Sequence, residues 1–469
     1  MSKLTDFYEY IAGKRVSVVG IGISNTPLID FLLAHGAVVT ARDMKTADKL
    51  GEIAANLEKK GVRLILGENY LRDIDDEIIF RAPGIRPDIP EFTEAVKNGA
   101  VLTSEMELFF ELCPCKIFGI TGSDGKTTTT TLTFTFLRRE AEKNHSGANI
   151  FVGGNIGKPL LPIIDSIKPD DYAVVELSSF QLQNMKSSPF AAAITNVTPN
   201  HLNWHTGMEE YTLAKENIFR NSGNERLILN WGCDATREMA SLTNADVTYF
   251  SAKSEPELGR ASAAIFEKDG MIVRKTASGE EFILNSSDIK LPGRHNIENY
   301  MTAIGLTWGF VSRETILEVA RSFGGVEHRC ELVREFEGVK YYNSSIDSSP
   351  TRTEAALMAF SQKVIVICGG YDKHIPYEPL AKPLIDRAKA VILTGATAPK
   401  IKNALLSSAE YKGEPPIYES ETFEGAVELS KKIAVSGDIV ILSPASASFD
   451  RFKNFEERGK YFKQLVNEF

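Results

Sequence analysis

The chain has 469 residues, 43% hydrophobic and 25% charged, too long for one ordinary core, so two or three domains are expected. Its net charge of −9 argues against a general nucleic-acid or anionic-membrane binder, so an anionic substrate has to be held by local donors. The N-terminal residues lack the apolar core of a signal peptide, and no apolar run approaches the roughly 18 residues of a membrane span; a cytoplasmic protein is expected.

The five cysteines (113, 115, 233, 330 and 368) are odd in number and lack paired metal-ligand spacing. Cys113-Pro-Cys115 is a single Cys-x-Cys, and the reading is of buried thiols in a reducing compartment.

In chain order, a first α/β unit opens with the strand-like run Arg15-Val-Ser-Val-Val19. A turn containing Gly20-Ile-Gly22 follows, then a helix pattern from Pro27 to His35 and a second strand ending at Asp43. This is a dinucleotide-type βαβ start with an acid at the end of the second strand. Asn25 stands where the fingerprint's third glycine is expected, so dehydrogenase, UDP-sugar binder and structural unit stay open here. Ile78-Ile-Phe80 with Pro83-Gly84-Ile85 adds another strand and turn.

The second unit begins near Met106 and carries Thr121-Gly122-Ser123-Asp124-Gly125-Lys126-Thr127-Thr128 between the strand Ile117–Ile120 and a helix. Two glycines let backbone N–H groups close around a phosphate, Lys126 supplies a mobile charge, and the Thr127 hydroxyl can hold Mg²⁺. Ile120 stands where the general P-loop has its first glycine. Further strands are expected at Tyr172–Val175 and Ala191–Thr195. Glu176 at a strand tip is well placed as a Mg²⁺ ligand, with a solvated strand-end acid as the alternative. His201 leaves the next strand on the same face; since magnesium prefers oxygen ligands, alone it reads sooner as a hydrogen-bonded loop histidine. Lys215, four after Tyr211 and three before Ile218, faces inward on a helix, which is costly for an amine unless it is paired or chemically altered. A lysine snorkelling at the helix edge is the alternative. A third unit follows Gly324-Gly325, with strands at Val364–Cys368, Ala390–Thr394 and Ile439–Ser443. The fold class is α/β with three domains, at 1–105, 106–325 and 326–469. The first and third are Rossmann-like; the second is a P-loop-type ATPase domain with a mostly parallel sheet.

Several segments together resemble the Mur ligase family. They are the short Thr-Gly-x-x-Gly-Lys-Thr loop, Gly153-Gly154-Asn155-Ile156-Gly157, Glu176-Leu-Ser-Ser-Phe-Gln-Leu182, Asn196-Val197 with His201, and Tyr211-x3-Lys215. Gly293-Arg-His-Asn296-Ile-Glu-Asn299, His328-Arg329, Gly369-Gly370-Tyr-Asp372-Lys373 and Ser443–Gly459 extend the likeness over essentially the whole chain. The resemblance implies ATP binding by Gly122, Ser123, Asp124, Gly125, Lys126, Thr127, Thr128, Asn296, Asn299 and Arg329. It implies two Mg²⁺ ions at Thr127, Glu176, His201 and Lys215, the last carbamylated so that an amine becomes a carboxylate. Lys126, His201 and Lys215 would be catalytic. Ser24, Asn25, Thr26, Asp43, Lys45, Gly84, Asn155 and Ser178 would meet a UDP-linked substrate, with Ile85 near that pocket. Ser348, Lys373, Ser448 and Phe455 would meet an incoming amino acid.

The tail, with Ser448 expected to cap a helix, is similar to members of the family that add D-glutamate. The implied partners are UDP-N-acetylmuramoyl-L-alanine and D-glutamate, with no nucleic acid and a monomeric enzyme. The implied reaction is ATP-dependent amide formation through an acyl phosphate, in peptidoglycan precursor synthesis, with closure of the third domain before chemistry. The family's pattern is broken at Ser344, Ile346 and Asp347, where it carries an acid, a lysine and an alanine. It is also broken at Asn200 and Asn203, where acids are frequent. Asp347 is expected to take over part of the polar role lost there. A sister ligase or folylpolyglutamate synthase, and an NAD-dependent oxidoreductase built on Gly20-x-Gly22, are the competing readings.

Overall fold

The computed structural model describes residues 3–22, 25–202, 204–373 and 375–469. By internal contacts the chain divides into two compact units, Met1–Ser286 with Glu298–Leu317, and Ser287–Ile297 with Glu318–Phe469. It is an α/β protein with three sheets.

The first sheet joins β1 (Arg15–Val19), β2 (Val38–Asp43), β3 (Arg63–Leu66), β4 (Ile78–Arg81) and β5 (Val101–Thr103) in the order β3-β2-β1-β4-β5. All its pairings are parallel, the half-Rossmann order that the Gly20 turn and Asp43 foreshadow. Its apolar strand β1 is buried from Val16 to Val19, as expected when helices cover both faces.

The second sheet comprises β6 (Lys116–Thr121), β7 (Ile150–Gly154), β8 (Tyr172–Glu176), β9 (Ala191–Ile194), β10 (Arg226–Asn230), β11 (Asp246–Ser251), β12 (Ala263–Lys268), β13 (Met271–Thr276) and β14 (Gly279–Asn285). Their order is β14-β13-β12-β11-β10-β9-β6-β8-β7. The strands from β7 to β12 pair in parallel, while β12-β13-β14 form an antiparallel meander at one edge. That meander has no counterpart in the sequence expectation. Its strands are half polar and joined by short turns, so they carry little of the continuous apolar signal that marks the central strands.

Between β6 and the rest of the unit runs the helix Lys126–Asn144. Threonines dominate its first half, and Thr131, Thr133 and Thr135 each donate to the carbonyl four residues back, at 2.8, 2.8 and 2.7 Å. Leu132, Phe136 and Leu137 are buried, and the Phe136 ring meets Tyr300 at 6.0 Å.

The third sheet joins β15 (Glu331–Phe336), β16 (Val339–Asn343), β17 (Val364–Cys368), β18 (Ala388–Leu393), β19 (Ile417–Glu419) and β20 (Ile439–Leu442) in the order β15-β16-β20-β17-β18-β19. Only β15 is antiparallel.

Two sequence expectations are corrected. Cys115 and Cys368 are buried, but Cys113, Cys233 and Cys330 are partly exposed. Ser448 does not cap a helix. The Ser448 carbonyl closes a turn by accepting from the Arg451 and Phe452 N–H groups, at 3.1 and 2.9 Å. The last helix starts later, at Phe455, where the Asn454 side chain accepts from Glu457 N at 2.8 Å. Asn with an acid three residues on is itself a strong helix start. Among the described residues, no helix is long and apolar enough to cross a membrane.

Candidate active site

The turn after β6 is shaped by two glycines in backbone regions that L side chains avoid. Gly122 has φ +147° and Gly125 φ +80°. A Cβ at Gly122 would collide with the Thr195 hydroxyl, and one at Gly125 with the Asn299 amide oxygen. The turn is braced from β9's exit: Ser123 N donates to Asn196 O at 2.9 Å. Asp124 N donates to Asn196 Oδ1 at 2.9 Å, and Thr195 Oγ1 donates to Asp124 O at 2.5 Å. The Ser123 hydroxyl lies 2.9 Å from Thr198 N, Thr198 O and the Tyr211 hydroxyl. The loop thus opens the N-terminus of Lys126–Asn144, where Thr127 and Thr128 lie in the first turn and the direction of the helix dipole favours an anion.

Two lysines converge on one carbonyl of this loop. Lys126 Nζ donates to Gly122 O at 2.9 Å and to Ser123 O at 2.8 Å, and Lys215 Nζ donates to Gly122 O at 2.8 Å. Lys215 is 1% exposed, on the helix Met208–Glu216, and its Nζ sits 4.4 Å from the centre of the Tyr211 ring. The inward orientation read from the spacing is therefore present. Burial, and then the charge of Lys126, pulls the Lys215 amine well below the ordinary lysine range; an amine held neutral is the form that reacts with CO₂.

Glu176, the last residue of β8, is also 1% exposed. Its Oε1 accepts from Asn155 Nδ2 at 2.8 Å, while its carbonyl accepts from Asn155 N at 2.8 Å. Its Oε2 is buried without a hydrogen-bond partner among the described residues. A buried carboxylate oxygen of that kind is costly unless a cation completes it, so the donor set fits a hard, oxygen-seeking ion. His201, exposed and with φ +55°, packs edge-on against Phe180 at 4.9 Å. Burial and the charges of Lys126 and Lys215 lower its pKa.

Asn299 reaches the same helix, where Thr129 Oγ1 donates to its Oδ1 at 3.3 Å. Asn296 belongs to the other unit, and its Nδ2 donates to Pro292 O at 2.6 Å.

Of the residues expected to meet a UDP-linked substrate, Ser24 lies outside the described residues. Asn25 is buried and donates back to Gly20 O at 2.9 Å. Thr26 donates to Gly22 O at 3.0 Å. Asp43 accepts from Ile21 N at 2.6 Å and from Lys45 N at 2.8 Å, so it shapes the glycine turn. Gly84 O accepts from Trp204 Nε1 at 3.0 Å. Ser178 caps Ser179–Leu182 in a reciprocal box with Gln181. Asn155 is committed to Glu176, as described.

In the second unit Lys373 Nζ donates to Ser348 Oγ at 3.3 Å, and Ser448 is buried. Phe455 lies edge-on to His328 at 6.1 Å. Arg329 follows His328. Asp347 is buried and accepts from Ser443 Oγ at 2.8 Å; burial raises its carboxyl to about 6.

Sequence reasoning passed over two groups. Arg458 is buried and pins the segment before Ser448, donating to Ala447 O (2.9 Å), Ser446 O (3.1 Å) and Ser345 O (2.9 Å). His205 is buried among the Phe180, Trp204 and Tyr211 rings. Its Nε2 is 2.9 Å from Ser179 Oγ and its Nδ1 3.6 Å from Glu210. Its four-residue spacing from His201 was the available signal.

A glycine turn opening a helix, two lysines at one carbonyl and a buried, half-satisfied carboxylate at a strand tip are features that nucleotide-dependent phosphoryl transfer calls for. Residues 120–307 match the Mur ligase middle domain, and residues 328–446 match the Mur ligase, glutamate ligase domain. The chain belongs to the Mur ligase family. Within it, the chain is 49% identical to the UDP-N-acetylmuramoylalanine--D-glutamate ligase of Acetivibrio thermocellus, over 99% of both chains. It is also 49% identical to the enzyme of that name from Clostridium novyi, over 98% of both. The fold is similar to that of UDP-N-acetylmuramate-alanine ligase from Thermotoga maritima (TM-score 0.55, 19% identity, 97% of this chain and 99% of that one).

Proposed function

We propose that the protein joins D-glutamate to UDP-N-acetylmuramoyl-L-alanine at the expense of ATP, in peptidoglycan precursor synthesis. The full-length likeness to ligases of that name carries the substrate assignment. The geometry around Gly122 and Glu176 supports the chemistry.

A carboxylate does not accept an amine until one oxygen becomes a good leaving group. On this reading the alanine carboxylate attacks the γ-phosphorus of ATP, the β–γ bond breaks, and an acyl phosphate forms with release of ADP. The D-glutamate amine then attacks the acyl carbon; the tetrahedral intermediate collapses, the amide forms and phosphate leaves. Gly122–Thr128 cradle the phosphates with backbone N–H groups. Lys126 moves from the Gly122 and Ser123 carbonyls to the transferring phosphoryl group, an interaction typically worth a few kcal/mol when water is excluded. Asn296, Asn299 and Arg329 bind the rest of the nucleotide. Lys215 adds CO₂ through its neutral amine and loses a proton, becoming an anionic oxygen donor. Glu176, carbamylated Lys215, Thr127 and His201 would hold two magnesium ions, which supply charge neutralisation to the phosphates. His201 also orients the incoming amine.

Ser24, Asn25, Thr26, Asp43, Lys45, Gly84, Asn155 and Ser178 line or shape the path of the UDP-linked substrate. Ser348, Lys373, Ser448 and Phe455 receive D-glutamate. The reading includes three domains, bounded near residues 105 and 325, and a monomeric enzyme working in the cytoplasm.

The test is phosphate release with ATP, Mg²⁺ and UDP-N-acetylmuramoyl-L-alanine, with D-glutamate compared against L-glutamate, meso-diaminopimelate and L-lysine. Release should depend on D-glutamate; release that ignores which amino acid is supplied overturns the assignment.

A further inference from the structure

The segment that joins the first sheet to the second carries a pair of thiols that the ligase reaction does not use. The helix Glu105–Leu112 ends at Cys113, whose N–H donates to Phe109 O at 2.9 Å. Two residues on, Cys115 immediately precedes β6. The two Sγ atoms lie 3.5 Å apart. The rotation that brought them together is fixed on one side by β6, which is hydrogen-bonded to both β8 and β9. On the other side stands only the end of a short helix, Glu105–Leu112. Cys113 is partly exposed while Cys115 is buried.

We propose that Cys113 and Cys115 form a reversible oxidation site for hydroperoxides, with Cys113 as the attacked thiol and Cys115 as the resolving one. Contact with the Cys115 sulfur lowers the pKa of Cys113, and the same contact together with burial raises that of Cys115. This split of roles is the one that redox-active pairs use. In the first step the Cys113 thiolate attacks one peroxide oxygen. The S–O bond forms, the O–O bond breaks, and the departing hydroxide takes up a proton as water. In the second step the Cys115 sulfur attacks the Cys113 sulfenic acid; the S–S bond forms, the S–O bond breaks, and hydroxide leaves with the Cys115 proton as a second water. Two thiols are oxidised to a disulfide and one peroxide is reduced to two waters. Closing the bond requires the sulfurs to approach to about 2.05 Å. With β6 anchored on both sides, the last turn of Glu105–Leu112 is the part that yields.

The experiment treats the full-length protein with graded hydrogen peroxide, blocks free thiols with iodoacetamide, and reads each cysteine by peptide mass spectrometry. The 113–115 peptide should lose two hydrogens and resist alkylation at peroxide levels that leave Cys233 and Cys330 alkylated, and dithiothreitol should restore it. In Cys115→Ser, which removes the resolving thiol, dimedone should label Cys113; in Cys113→Ser, Cys115 should stay a free thiol. Cys113 and Cys115 remaining alkylatable while Cys233 or Cys330 oxidises overturns the proposal. So does dimedone labelling of Cys115 in Cys113→Ser at the wild-type dose.

Discussion

Among the described residues Glu176 is held by one oxygen only, with Asn155 on Oε1 and no hydrogen-bond partner on Oε2. Replacing it by Gln keeps the Asn155 contact available and removes the charge. Glu176→Gln should therefore lower D-glutamate-dependent phosphate release by about 100-fold or more, the scale on which metal-site substitutions act. It should also raise the Mg²⁺ concentration that gives half-maximal rate. Lys215→Ala should be inactive, and short carboxylic acids should restore part of the rate by supplying the missing oxygen donor. Failure of every such acid to restore activity removes the support for carbamylation. Asp347 is more ambiguous in sequence than in space: it stands in a departure from the family's pattern, yet it is buried and hydrogen-bonded to Ser443. Asp347→Ala should raise the KM for ATP or for D-glutamate, because loss of that contact frees the loop before Ser348; unchanged KM and kcat would remove it from the site.

At the scale of elements, the phosphate loop is a junction of three segments rather than a free turn. Gly125→Ala places a Cβ against Asn299 in a left-handed backbone region, which costs on the order of 1 kcal/mol for conformation alone. ATP affinity, measured by calorimetry or nucleotide protection, should fall at least tenfold. Much of this neighbourhood is legible in the residues themselves. The loop's glycines, the strand tip at Glu176 and the helical period that turns Lys215 inward are all local signals, and the structure has each element where they point. The contribution of Thr195, Asn196 and Asn299 is not local: their value lies in reaching a loop more than 70 residues away, which no periodicity reports. Arg458 was missed for the same reason. On a helix its spacing reads as one more surface charge, and only the sheet-to-helix packing makes it a buried clamp. Ser448 misled because hydroxyl residues favour both turns and helix starts, and Asn454 with Glu457 made the better start.

Across the molecule, the first unit is tied internally by two arginines, Arg81 at the end of β4 and Arg86 just beyond it. Arg81 donates to Ile85 O at 2.9 Å and to Phe180 O at 3.1 Å. Arg86 pairs with Glu210 and Asp88, both at 2.7 Å, and covers the Trp204 ring at 5.0 Å. The joining helix adds a pH-sensitive contribution. Glu105 is buried and accepts a long hydrogen bond from Leu161 N at 3.4 Å, and burial raises its carboxyl from 4.5 to about 7. The folded state therefore holds this proton more tightly than the unfolded chain. The associated stability is complete below about pH 4.5 and is lost as the pH rises through about 7, by on the order of 3 kcal/mol. Denaturant unfolding of Glu105→Gln should lack that decline between acid and neutral pH, whereas wild type should show it. The threonine-rich helix after the phosphate loop bears on how the chain reaches this state. β-Branched residues that turn their hydroxyls onto the backbone are poor helix formers by themselves, so Lys126–Asn144 owes its shape to Leu132, Phe136 and Leu137 meeting the sheet. A synthetic peptide of that stretch should be mostly coil by circular dichroism in water. During synthesis the nucleotide cradle then has to wait for strands as distant as β9, whose exit supplies Thr195 and Asn196, before it can take form on the ribosome's product.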